Sequence, residues 1–151
     1  MVNDFKNFKD KSPSKSSFAV LLNPCFYSVL LYRVSHFFYK IKLTPLAKVI
    51  WFINRIVFCV DIDYRAIIGK RFRLIHGIGV VIGYDVVIGD DVDIYQGVTI
   101  GGSGKIRVIN GIVKSQPIIK NGVKIYTNAC LFGPLIIEDN EIIKACKVIA
   151  F

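Results

Sequence analysis

The stretch from Val60 to Gly102, VDIDYRAIIGKRFRLIHGIGVVIGYDVVIGDDVDIYQGVTIGG, decides the fold. In it an aliphatic residue returns every sixth position, at Ile62, Ile68 and Leu74 and then at Ile82, Ile88, Ile94 and Ile100, and a glycine follows it at Gly69, Gly83, Gly89 and Gly101. Period six fits neither a helix nor a simple alternating strand. It is the signature of a parallel β-helix, in which each hexad forms one short strand and a corner. The aliphatic side chain is expected to point inward and stack on its neighbour one coil away, and the small residue after it to let the chain turn the corner.

Two defects interrupt the period. Leu74 and Ile82 are eight residues apart, so one corner, Ile75-His76-Gly77-Ile78-Gly79, holds two extra residues; a bulged corner with two glycines is expected to aim His76 outward. The second defect, residues 101–117, contains no hexad and reads as a loop thrown out of the coil. Hexads resume at Ile119, Ile125, Leu131, Ile137, Ile143 and Ile149, with Lys120, Tyr126, Phe132, Glu138 and Lys144 where the glycine stood and with Glu141 and Lys147 in slots that ordinarily hold small or apolar residues. The chain stops two residues after Ile149 without a polar terminal cap, so this end is expected either to be covered in an assembly or to continue.

Working outward, the 151 residues suit one domain with a substantial core, and a 53% hydrophobic content with mean hydropathy +0.49 is high for a water-soluble chain. The net charge of +9 is uneven: residues 1–60 hold nine Lys/Arg and two acids, residues 61–151 eleven and nine. Such a basic segment suits phosphorylated substrates or anionic lipid. No nucleic-acid motif accompanies it and the aromatics sit in apolar runs rather than beside lysines, which argues against nucleic acid. Cys25, Cys59, Cys130 and Cys146 are widely spaced and form no CxxC pair, so neither a zinc site nor a disulfide framework is expected, and no metal is called for. The first seventeen residues are polar and basic with no apolar signal region. Residues 1–22 are therefore read as a disordered basic arm and the protein as cytoplasmic.

Residues 23–59 form a two-helix segment. Asn23-Pro24 and Thr44-Pro45 each set a capping side chain before a proline at the first helical position, predicting helices over about Pro24–Lys40 and Pro45–Phe58. The second is too short and too often interrupted by Lys42, Lys48 and Arg55 to span a bilayer, which takes about 20 apolar residues. Two readings stand for the pair: a cap or subunit contact for the β-helix, and peripheral attachment to the anionic inner leaflet. His36, on an apolar helix face, is expected to be structural.

Residues 60–151 resemble the left-handed β-helix (hexapeptide-repeat) acyltransferases, in particular their serine acetyltransferase branch. The repeat, the expanded histidine corner, YQGVTIGG and the following glycine-rich loop occur in the family's order over about Val60 to Ile149. The resemblance implies a left-handed parallel β-helix, mainly β and preceded by two short α-helices, and acetyl transfer from acetyl-CoA to a hydroxyl. It makes His76 the general base and Asp61 the carboxylate that orients it. Imidazole suits this role, since a hydroxyl is a poor nucleophile until a base takes its proton as it attacks the thioester, and a carboxylate on the other ring nitrogen fixes the tautomer. It places acetyl-CoA along the coils, with Gly101, Gly102 and Lys105 and, less directly, Lys120 and Lys124 as candidate contacts; GGSGK lacks the spacing of a P-loop. It also implies a homotrimer with active sites between subunits.

Departures from the family pattern bear on the acceptor. Serine acetyltransferases carry an acid before the histidine and an arginine-histidine pair before the loop's closing proline; here Ile75 and Ser115-Gln116 stand there. Isoleucine cannot pair with an ammonium, and neither serine nor glutamine grips a carboxylate as a cation does. With only two short helices ahead of the coil, the expected activity is O-acetylation of a sugar, free or lipid-linked, in surface (capsular, O-antigen or exopolysaccharide) biosynthesis. Ile75, Tyr64, Tyr95 and Gln116 would line the acceptor site, Tyr64 or Tyr95 stacking on a sugar ring, although Tyr95 serves equally as a packing residue. The alternatives are serine O-acetyltransferase of cysteine biosynthesis and a non-catalytic trimeric scaffold.

Overall fold

The computed structural model describes every residue except Met1 and Asn110, which lie in the expected arm and the expected loop respectively. Short strands wind into a triangular prism of three parallel sheets, with strands of successive coils paired in register. One sheet stacks Ile62, Ile82, Ile100, Leu131 and Ile149; a second stacks Ile68, Ile88, Ile119 and Ile137; a third stacks Leu74, Ile94, Ile125 and Ile143. These are the hexad residues, and all except half-buried Ile149 are buried. Two positions before most of them lies a second inward residue, such as Val80, Val86, Val92, Val98 and Val123, with no exposed surface, whereas Glu141 and Lys147 hold that slot, exposed, in the last coils. The core is thus two stacked columns per sheet, close-packed along the axis.

The glycines after the hexad residues act differently from expectation. None of Gly69, Gly83, Gly89 and Gly101 has a positive φ. A Cβ on Gly69 would lie 2.4 Å from Asp90 Oδ1 and 2.6 Å from the Gly89 backbone, so glycine is needed there for close approach of successive coils. The left-handed conformation that turns the chain sits instead at residues such as Gly79 (φ 74°) and Asp91 (φ 59°), glycine and aspartate being among the residues that adopt it most readily. In the excursion, Arg107–Ile109 and Ile112–Lys114 pair as an antiparallel hairpin whose Ile106, Val108, Ile112 and Val113 are exposed.

Four helices precede the coil: α1 (Val2–Asp10), α2 (Ser17–Leu21), α3 (Pro24–Lys40) and α4 (Thr44–Phe58). The last two match the expected helices, with Asn23 Oδ1 accepting from the Cys25 N–H at 2.9 Å. Thr44 lies one residue inside α4, and its N-terminus has no side-chain cap. The expected disordered arm is corrected: residues 2–22 are folded onto the coil. Asp4, buried in α1, accepts two hydrogen bonds at 3.1 Å from Arg33 of α3 and one at 3.2 Å from the Phe72 N–H, while Phe8 and Val20 enter the core. A polar composition misleads here because the ionised groups are paired across elements, and such pairs are compatible with burial. Tyr32 donates to the Ala66 carbonyl at 2.7 Å and Ser35 to that of Ala47 at 2.7 Å, fixing α3 to the first coil and to α4.

Candidate active site

The eight-residue spacing does what it implies. Two surplus residues cannot fit a coil corner, so the chain bulges: His76 takes φ 61°, its carbonyl accepts from the Ile78 N–H, and Gly79 donates to the Cys59 carbonyl at 2.9 Å. His76 is exposed, and among the described residues its ring has no hydrogen-bond partner. The N-terminus of α3 covers the bulge, the Cys25 sulfur lying 3.3 Å from where a Cβ of Gly77 would stand. Burial pushes the Cys25 thiol up from its ordinary pKa, which keeps a neutral SH beside His76.

His76 opens on a cavity of about 720 Å³ between this corner and α1–α4. Ile75 lines it, together with Lys11, Cys25, Ser28 and Arg73, which no local sequence signal marks. Lys11 and Arg73 converge on Asp93, which is 3% exposed: Lys11 Nζ approaches its two oxygens at 3.1 and 3.2 Å, and Arg73 Nε and Nη2 donate at 3.1 and 3.0 Å.

Asp61 is not hydrogen-bonded to His76 within the chain. Its Oδ1 accepts from Trp51 Nε1 at 2.8 Å and its Oδ2 faces Arg55 Nη1 at 3.4 Å, so α4 holds the carboxylate in place. Asp61 lines a smaller cavity with Arg55, and Cys59 lies on the walls of both.

The other expected site residues are spread out. Tyr64 is buried beneath α3, its ring against Tyr39 and its carbonyl 2.8 Å from His36 Nδ1, so it is no platform for a sugar ring. That contact also gives His36 the structural role expected of it. Tyr95 stacks on Tyr126 one coil away at 4.8 Å, the packing alternative. Gln116 is buried against Gly83, with Oε1 unpartnered, and does not line the His76 cavity of its own chain. Gly101 faces open space at the excursion's start, and Lys105 and Lys124 are exposed, whereas Lys120 is neutralised by Glu138. Among the described residues no group of His, Cys, Asp and Glu is fit to hold a metal ion.

No protein-family model matches the chain. It is 36% identical over 148 residues to the serine acetyltransferase of Bacillus pumilus, an alignment covering 97% of this chain and 66% of that protein. It is 35% identical over 130 residues to the serine acetyltransferase of Helicobacter pylori, covering 86% of this chain and 73% of the relative. The chain belongs to the serine acetyltransferase family. A solved serine acetyltransferase in complex with CoA superposes with a TM-score of 0.84 at 28% identity, over 96% of this chain and 58% of that one. The coil is accordingly the left-handed β-helix of serine acetyltransferases. The chain spans about two thirds of the length of the Bacillus relative.

The expected sugar acetyltransferase of surface-polysaccharide synthesis is overturned by these relatives. The misleading features were Ile75, Ser115-Gln116 and a helical segment read as only two short helices; the structure has four helices. They align with serine acetyltransferases along with the coil, so they are part of that fold and not a substitute for its N-terminal domain. Among the described residues no helix is long and apolar enough to cross a membrane.

Proposed function

We propose that this chain is an acetyl-CoA-dependent serine O-acetyltransferase, the reading carried by the cavity that joins His76 to the helical segment within a fold shared with serine acetyltransferases. The ring nitrogen of His76 takes the proton of the acceptor hydroxyl as its oxygen attacks the thioester carbonyl; the C–S bond then breaks, and the proton passes to the departing CoA sulfur. An exposed imidazole without a competing partner suits both transfers. Asp61 is clamped by Trp51 and Arg55 in the adjoining cavity, which suits it to a positioning role beside the expanded corner. Acetyl-CoA supplies the acyl group, and the open space at Gly101, beside Gly102, with exposed Lys105 and Lys124 suits its pantetheine and phosphates.

The functional unit is proposed to be a homotrimer. Exposed aliphatic residues along the coil (Ile67, Val81, Ile142, Val148) and on the hairpin favour association. Thiol release from acetyl-CoA on addition of L-serine tests the activity: turnover with L-serine is expected, and its absence from folded protein overturns the reading.

A further inference from the structure

The His76 cavity contains an unusual charge arrangement. No aspartate or glutamate lines it, among the described residues, while two cations, Lys11 and Arg73, do. Asp93 sits between them and neutralises one charge, leaving the trio at +1. Asp93 occupies only two of the five guanidinium N–H groups of Arg73, and no other hydrogen bond engages that side chain. Lys11 directs two hydrogen bonds at Asp93 and keeps donor capacity beyond them, an ammonium having three hydrogens. The neighbouring Asp91 is paired with Arg71 and also feels the charge of Lys11. Ser28 also lines the cavity, and its Oγ, with no exposed surface, has no hydrogen-bond partner among the described residues. Burying such a group costs free energy unless something meets it. Before the closing proline of the excursion, Ser115 and Gln116 are uncharged; Ser115 is spent on Asp85 and Gln116 is buried against Gly83.

We propose that Lys11 and Arg73, held in place by Asp93, bind the carboxylate of the hydroxyl acceptor in the His76 cavity. The proposal rests on the acetyl-transfer reading only for the identity of the acceptor as serine. A planar guanidinium with unspent N–H groups beside an ammonium makes a two-point grip for a carboxylate. The buried Asp93 keeps both side chains ordered before the ligand arrives, so less side-chain entropy is lost on binding. Ile75 then shapes the cavity without pairing with any charge.

The test compares binding of L-serine with that of L-serine methyl ester, which keeps the hydroxyl and the amine and lacks the carboxylate, by calorimetric titration of the full chain, with acetyl transfer measured in parallel. Wild-type protein is expected to bind L-serine at least about tenfold more tightly than the ester, a charge-assisted contact contributing that much or more. Lys11→Met should weaken L-serine binding by about tenfold and leave ester binding unchanged, while Lys11→Arg retains the preference. Equal binding of serine and ester by wild type, or equal weakening of both by Lys11→Met, overturns the proposal. The wild-type comparison stands even where a variant fails to fold. Carboxylate preference in binding without acetyl transfer would overturn the activity and leave this inference standing; turnover of serine without carboxylate preference would do the reverse. Binding of neither ligand would overturn this inference.

Discussion

Two corners of the same coil behave in opposite ways. At the regular corner after Ile68, successive turns are tied by a ladder: the Lys70 N–H donates to Asp90 Oδ1 at 2.7 Å, the Asp90 N–H to Asn121 Oδ1 at 2.8 Å, and the Asn121 N–H to Asp139 Oδ1 at 2.8 Å. The polar backbone there is answered by the next coil, and glycine keeps the coils close. At the expanded corner after Leu74 the period is lengthened by two residues; its backbone is still tied, the Ile78 carbonyl accepting from the Gly97 N–H of the next coil at 2.9 Å, but among the described residues the His76 ring has no hydrogen-bond partner, and the N-terminus of α3 packs over the bulge. Regular spacing spends side chains as well as backbone on joining coil to coil, whereas the break in spacing leaves one imidazole unspent.

That contrast is open to tests of decreasing size. His76→Ala is expected to lower acetyl transfer to L-serine by about 10²–10⁴-fold, the usual contribution of a positioned base, with a nearly unchanged unfolding midpoint, because the residue is exposed. Full activity in the variant would remove the expanded corner from the chemistry. Ile100→Ala, in the fully buried column, should have the opposite profile: a loss of about 2–5 kcal/mol in denaturant unfolding. A cost below about 1 kcal/mol would show that the column collapses around the gap. Gly69→Ala drives a methyl into the Gly89 backbone and should cost about 1–3 kcal/mol. Gly77→Ala, whose nearest neighbour is Cys25 Sγ at 3.3 Å, should cost less; the reverse order would mean that the regular corners are the looser ones.

The smallest effect concerns pH. Burial holds His36 below its ordinary pKa, with Lys40 and Arg33 acting in the same direction and the Tyr64 carbonyl opposing them. The unfolded chain therefore takes up this proton first as pH falls. The resulting stability contribution is present above the ordinary histidine value of about 6.5 and is lost as pH drops through and below it. Unfolding curves of wild type and His36→Gln across that range should converge toward low pH if the assignment holds, and run parallel if it does not.

The sequence by itself determined the coil. Every inward hexad residue from Ile62 to Ile143 is buried where period six puts it, and α3 begins at Asn23-Pro24 and ends at Lys40, because stacking periodicity and helix capping are local rules that leave a mark in local sequence. It also singled out His76, since two surplus residues are visible as a break in a count. Tertiary structure decided the rest. The N-terminal residues read as a solvated arm fold because Asp4 meets Arg33 and Phe72, 29 and 68 positions away; Asp61 is held by Trp51 and Arg55 on a helix; and Lys11 meets Arg73 through Asp93, 82 residues beyond it. Such pairings join residues far apart in the chain and have no period. For the same reason the acceptor was misread from Ile75, Ser115-Gln116 and the short helical segment: the cations lining the cavity come from the turn after α1 and from the first coil, and only folding brings them to the histidine.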